Sequence, residues 1–179
     1  MSDFSAPFSR TMKFEGMTLE DVEGDSGGLT YCGISRNNFP NWPGWAVIDE
    51  YIKEGGTLRA AKALALADQG LWGWVKDFYK TEIWDKNLLG QLTGQELATQ
   101  VYDAVVNLGQ TAIKGLQTVL AITDDGIMGP MTIQAANSRD VVDQFINWRK
   151  NRYQSIVERN PGDAKFLTGW LSRCVRSDA

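Results

Sequence analysis

The stretch TGQELATQVYDAVVNLG, residues 93–109, constrains the fold of this chain more than any other. Leu97, Val101, Ala104, Val105 and Leu108 recur at the spacing that lines apolar side chains along one helical face. Thr93 and Glu96 occupy capping-box positions ahead of that face, and Gly109 closes it. A central buried helix is expected here, and such a helix needs others to cover it.

The rest of the chain supplies them. Residues 5–15, SAPFSRTMKFE, carry Phe8, Met12 and Phe14, with Gly16 as a stop. Thr57 caps LRAAKALALAD, and Trp72, Val75 and Tyr79 mark one face of LWGWVKDFYKTEIW. After Gly109 come TAIKGLQTVLAI and a tight loop ending in Pro130, a first-turn residue of the next helix. A long helix is then expected from Ser138, stopped by Asn160-Pro161-Gly162, with a last amphipathic segment from Asp163 to about Val175. Residues 35–56 hold Pro40, Pro43, Gly44, Gly55 and Gly56, so any helix there is expected to be short. Residues 16–34, rich in Gly, Asp, Glu and Thr, are expected as irregular chain or a short hairpin. The fold class is therefore mainly α, with a small irregular or β lobe near residues 16–34.

One absence narrows the chemistry: the 179 residues include no histidine. Ser-His-Asp and Cys-His catalysis are ruled out, as are zinc sites built on imidazole. A thiolate-only zinc site wants four cysteines, and only Cys32 and Cys174 are present; both are expected as reduced, buried thiols. Hydrolytic chemistry must rest on carboxylates, hydroxyls, lysines or tyrosines. The net charge of −4 combines an acidic excess in residues 1–110 with a mild basic excess in 111–179. No basic stripe of the kind nucleic acid needs is present, and no apolar run is long enough to span a membrane.

The remaining chemistry concentrates in FEGMTLEDVEGDSGGLTYCGIS, residues 14–35. Glycosidic hydrolysis needs an acid for the leaving oxygen and a second group to activate water or stabilise a cationic sugar. Glu15 follows Met12 and Phe14, and partial desolvation favours the protonated carboxyl that a general acid requires. Asp25 lies in a polar glycine-bearing loop that favours the ionised form. Thr30 carries a hydroxyl able to fix a water, and Gly27-Gly28 permit a sharp turn and close approach of a sugar. The same residues also fit a plain surface helix end at Glu15, followed by Glu20, Asp21, Glu23 and Asp25 as a solvated acidic loop or a weak cation site.

The order Glu15, Asp25, Thr30 resembles the Glu–Asp–Thr triad of phage-type lysozymes. The fuller pattern, FEG followed by DSGGLTYCGIS, resembles the N-acetylmuramidases of glycoside hydrolase family 108. Asp25, Gly27, Gly28, Thr30, Gly33 and Ile34 match that family's pattern, while Met17 replaces a second glycine after Glu15. FYKTEIWD (78–85), VYDAVVNLG (101–109), DGIMGPMTI (125–133) and the closing FINWRKNRY and FLTGWLSR resemble its later motifs in order, so the likeness covers nearly the whole chain. It implies a lysozyme-like fold with a muramidase region over 1–108 and a helical peptidoglycan-binding region over 109–179. It implies cleavage of the β-1,4 bond between N-acetylmuramic acid and N-acetylglucosamine, with Glu15 as general acid, Asp25 as base or electrostatic partner and Thr30 positioning water. The alternatives in the same chemistry are a lytic transglycosylase or a chitinase-like glycosidase; in another class, a non-catalytic wall-binding or lysis-associated protein.

No metal or organic cofactor is implied. The expected partners are peptidoglycan glycan strands, without nucleic acid or membrane insertion. The residues 1–16 lack a basic-then-apolar export pattern. Synthesis in a host cytoplasm is therefore expected, with a monomer acting on the wall after a separate pore-forming protein or a secretion machine releases it. For substrate contacts, Gly28 and Tyr31 adjoin the proposed triad. Trp42 and Trp45, in the proline-rich NFPNWPGW, are the expected exposed sugar-stacking pair, against a reading as core. Asp103 and Asn107 interrupt the apolar face of the central helix and either line a glycan groove or bond a neighbouring loop. Asp124-Asp125-Gly126 lacks the further ligands of a calcium loop and is read as turn chemistry.

Overall fold

The computed structural model describes residues 1–21 and 27–177. The fold is mainly helical, with one small three-stranded antiparallel sheet among the described residues. The chain forms two compact units, one of Phe8–Thr81 and the other of Met1–Pro7 with Glu82–Ala179.

Helix α1 (Ser5–Glu15) enters the first of these units. Its buried positions are Pro7, Phe8, Thr11 and Met12, while Phe14, expected on the same face as Phe8 and Met12, is exposed. Gly16 ends the helix at φ +74°, its N–H bonding Met12 O at 3.1 Å; only a residue without Cβ reaches that conformation at low cost.

The sheet follows at once: β1 (Leu19–Glu20), β2 (Thr30–Tyr31) and β3 (Ile34–Ser35), in that order. Its register pairs Leu19 with Tyr31 and Tyr31 with Ile34, and pairs Glu20 with Thr30 and Thr30 with Ser35. Because side chains alternate across a pleated strand, the sheet carries two rows. The row Leu19–Tyr31–Ile34 is buried, each side chain contributing about 1.5–3 kcal/mol of hydrophobic stabilisation. The row Glu20–Thr30–Ser35 faces the other way. Between β2 and β3 the two turn residues, Cys32 and Gly33, have φ of 48° and 81°, the left-handed pair that a tight hairpin turn demands.

Three helices complete this unit: α2 (Gly44–Gly55), α3 (Leu58–Ala67) and α4 (Gln69–Tyr79). α2 runs 12 residues, longer than its prolines and glycines led us to expect. Pro43 stands before the first turn and Gly55 and Gly56 at the last, so these residues bound the helix rather than break it. Thr57 caps α3 by accepting from the N–H of Ala60, as expected. Asp68 caps α4 through the N–H groups of Gly70 and Leu71. Phe8 packs on Trp72 and Tyr79, with ring centres 5.5 and 5.9 Å apart.

A π-helical stretch over Lys80–Asp85 leads into the second unit. There α5 (Gln95–Leu108) is the central buried helix that the opening pattern predicts, with every residue from Leu97 to Val105 buried. It packs against α6 (Gln110–Leu120) and α8 (Val142–Arg159). The capping box does not form: Gly94 is the N-cap, and Thr93 bonds Asn137 instead, its N–H to Oδ1 at 2.8 Å. A tertiary partner has taken the hydroxyl that local geometry would have used. α7 (Pro130–Asn137) begins with its proline. Ser138 ends α7 rather than starting the long helix, and Asp140 Oδ1 accepts from the N–H of Val142 at the start of α8. α9 (Ala164–Ser172) closes the unit. Cys32 and Cys174 are buried free thiols; burial pushes the Cys32 thiol up to about 11.

Candidate active site

The polar row of the sheet and the end of α1 make one cleft. Glu15, Thr18, Glu20, Gly27, Thr30, Gly33, Ser35 and Asn38 line a cavity of about 350 Å³, all within the Phe8–Thr81 unit. Glu15 is the last residue of α1, so Gly16 releases the chain just beyond it and its carboxyl reaches the sheet. It is half-buried. A Cβ added at Gly33 would lie 3.2 Å from Glu15 Oε2 and would strike the Tyr79 hydroxyl. Glycine in this turn therefore serves two purposes: it tolerates φ +81° and it leaves room for the Tyr79 hydroxyl, with the Glu15 carboxyl close by.

Two hydroxyls anchor the glycine segment. Thr30 Oγ1 donates to Gly28 O at 3.1 Å, and Ser35 Oγ donates to Gly27 O at 2.8 Å. The N–H of Asn37 bonds Gly27 O at 3.1 Å, and the Asn37 side chain lies 3.0 Å from where a Cβ on Gly28 would be. Gly28 has φ +61°, so its backbone conformation, rather than a side-chain contact, is what the sequence supplies there. Lys62 Nζ donates to Thr18 Oγ1 at 2.8 Å. The Tyr79 hydroxyl donates to Cys32 O at 2.9 Å, bracing the turn that carries Gly33.

Of the residues singled out from sequence, Glu15 and Thr30 meet in this cleft. Asp25 lies outside the described residues. Tyr31 is not at the sugar side: it belongs to the buried row, fully enclosed, and its hydroxyl donates to Ala65 O at 2.8 Å. Burial, with smaller contributions from Cys32 and Asp68, raises its phenol well above the usual range. One position along a strand reverses the face a side chain takes, so the neighbour of Thr30 points inward.

The expected exposed tryptophan pair is also core. Trp42 and Trp45 are 7% and 3% exposed and pack edge to face at 5.1 Å. Trp45 Nε1 donates to Phe39 O at 2.8 Å, and the Arg36 guanidinium covers its ring at 5.4 Å. Gly44 faces the Trp42 ring so closely that a Cβ there would collide with it. Aromatic area next to a helix start is buried because it removes more apolar surface from water than any other side chain in the segment.

Asp103 does not line a groove. It is 0% exposed and sits in the second unit between two arginines. Arg173 donates from Nη2 to Oδ1 at 2.7 Å, and Arg149 donates from Nη2 to Oδ2 and from Nη1 to Gln100 Oε1. Gln100 Nε2 in turn donates to Val175 O at 2.7 Å. Burial alone would raise the Asp103 carboxyl; hydrogen bonds from Arg173 and the charge of Arg149 outweigh it and hold the group below the usual carboxylate range. Asn107 caps this arrangement locally, its Nδ2 donating to Asp103 O at 2.9 Å. Asp125 Oδ1 accepts from Gln117 Nε2 and from the N–H of Ile127, the turn role expected of that loop. Among the described residues no group of three or more Cys, Asp or Glu is arranged to hold a metal ion.

Four lining residues had no place in the cleft from sequence: Thr18, Glu20, Ser35 and Asn38. The signal for three of them was alternation around Leu19, Tyr31 and Ile34, but strands of two residues are too short for a period to show.

Residues 8–109 match the family model described as Glycosyl hydrolase 108, and residues 111–175 match the one described as Predicted Peptidoglycan domain. No curated protein matches the chain. Among solved structures, SagA of Brucella abortus is similar over 93% of this chain and 86% of its own, with 23% identity and a TM-score of 0.61. At that identity the likeness shows a shared fold.

Proposed function

Given that the chain belongs to glycosyl hydrolase family 108 and carries a predicted peptidoglycan domain, we propose that it is an N-acetylmuramidase. It cleaves the β-1,4 bond between N-acetylmuramic acid and N-acetylglucosamine of peptidoglycan. The observation that carries this reading is the shared cleft: a half-buried carboxyl at a helix end and a strand hydroxyl face one cavity, beside a turn that admits no side chain.

Glu15 protonates the bridging oxygen as the bond to the anomeric carbon breaks. General acid catalysis of this kind contributes roughly 10²–10⁴-fold. Thr30 helps to orient water, and Asp25 stabilises the cationic sugar from the glycine-bearing loop or acts as base. The region 1–108 performs the reaction, and 109–179 holds the chain on the wall. The protein works as a monomer on the wall, reached through a separate pore-forming protein in phage-type lysis of a host cell or through a secretion machine. Among the described residues, no helix is long and apolar enough to cross a membrane.

The test is loss of turbidity of purified cell walls with wild type and Glu15→Gln. Gln keeps the size of the side chain and removes its proton, so lysis is expected to fall at least roughly 10²-fold. Equal lysis by both proteins rejects the reading. Free reducing ends among the products support hydrolysis, whereas anhydro sugars would assign the chain to transglycosylation.

A further inference from the structure

We infer that Glu20 is the group that takes the proton from the attacking water. This rests on the muramidase reading of the same cleft. Three observations carry it. First, the register sets Glu20 directly opposite Thr30 on neighbouring strands, a relation that brings Cβ atoms to about 4.5–5.5 Å. Second, both side chains belong to the row that lines the cleft with Glu15. Third, the Thr30 hydroxyl already spends its only proton on Gly28 O.

That third point decides the geometry of the water. An occupied donor leaves Thr30 Oγ1 only lone pairs to offer. A water at Thr30 must therefore give one hydrogen to Oγ1, and its second hydrogen needs another acceptor. The carboxylate one strand away is Glu20, which is exposed within the cleft, and among the described residues no hydrogen bond or ion pair holds it. With both hydrogens directed at the sheet, the water's lone pair is free for the anomeric carbon.

The step balances. The water oxygen bonds to the anomeric carbon while the bond from that carbon to the bridging oxygen breaks. The proton of Glu15 goes to the bridging oxygen, and the water's proton goes to Glu20. Solvent then removes the proton from Glu20 and restores the one on Glu15. Attack from the face opposite the leaving group inverts the configuration, so a β bond yields an α product. Asp25 is left with the electrostatic role.

The experiment uses the full chain and a soluble peptidoglycan glycan fragment. Wild type, Glu20→Gln, Glu15→Gln and Asp25→Asn are compared for kcat, KM, melting temperature and the anomeric form of fresh product by proton NMR. Glu20→Thr, a good strand former, serves as a second variant at that position. Glu20→Gln and Glu20→Thr are expected to lower kcat roughly 10²-fold or more, with KM and melting temperature held, while Asp25→Asn retains more activity than either. The wild-type product is expected in the α form. Activity retained by both Glu20 variants while Glu15→Gln is inactive overturns the role of Glu20 and leaves the muramidase reading standing, as does a β product. Full activity of Glu15→Gln overturns both.

Discussion

Replacing Asp103 by Asn separates two roles that a carboxylate on this helix was open to. In the structure Asp103 lies fully buried, and its partners Arg149 and Arg173 have side chains 0% and 7% exposed. Asn keeps the shape and one acceptor but removes the charge that both guanidinium groups face. Two buried cations are then left without their counter-charge, and breaking a buried pair in this way costs about 3–5 kcal/mol. For a chain of this size each kcal/mol lowers the melting temperature by about 2–4 °C, so a drop of roughly 10 °C is expected. Thermal unfolding followed by circular dichroism measures it, with wall lysis assayed well below the variant's transition. Stability should fall and activity per folded molecule should stay. A variant that melts with the wild type but has lost lysis would refute the buried-cluster account and return Asp103 to the substrate groove.

Two further outcomes follow from the same structure. Asp103 is held below its unfolded range by Arg173 and Arg149, so its contribution is present above the ordinary carboxylate pKa and is lost as pH falls through the folded value; the melting difference between wild type and Asp103→Asn should therefore narrow on acidification, and a constant difference would contradict this. Gly33→Ala forces a side chain into φ +81°, into the Tyr79 hydroxyl and close to Glu15 Oε2; the backbone alone costs about 1–2 kcal/mol and the collision with Tyr79 adds to it, so both melting temperature and lysis are expected to fall, and an active, stable variant would show that the turn does not need glycine.

The amino-acid order alone determined the helical class, the buried α5, the caps at Thr57 and Gly16, and Glu15 at a helix end, because these depend on neighbours within one or two turns of chain. It also placed Glu15 and Thr30 in one short stretch, close enough for a single cleft to be expected. Only the tertiary structure decided which way each side chain faces. Tyr31, Trp42 and Trp45 carry polar edges that suit either a sugar or a core, and their orientation depends on partners such as Ala65, Phe39 and Arg36. Asp103 was ambiguous for the same reason: its arginines lie 46 and 70 positions away along the chain. Glu20 reads from sequence only as part of an acidic loop because a two-residue strand has no period; its place beside Thr30 exists only once the register is set, and cross-strand register is a property of the folded sheet rather than of either strand.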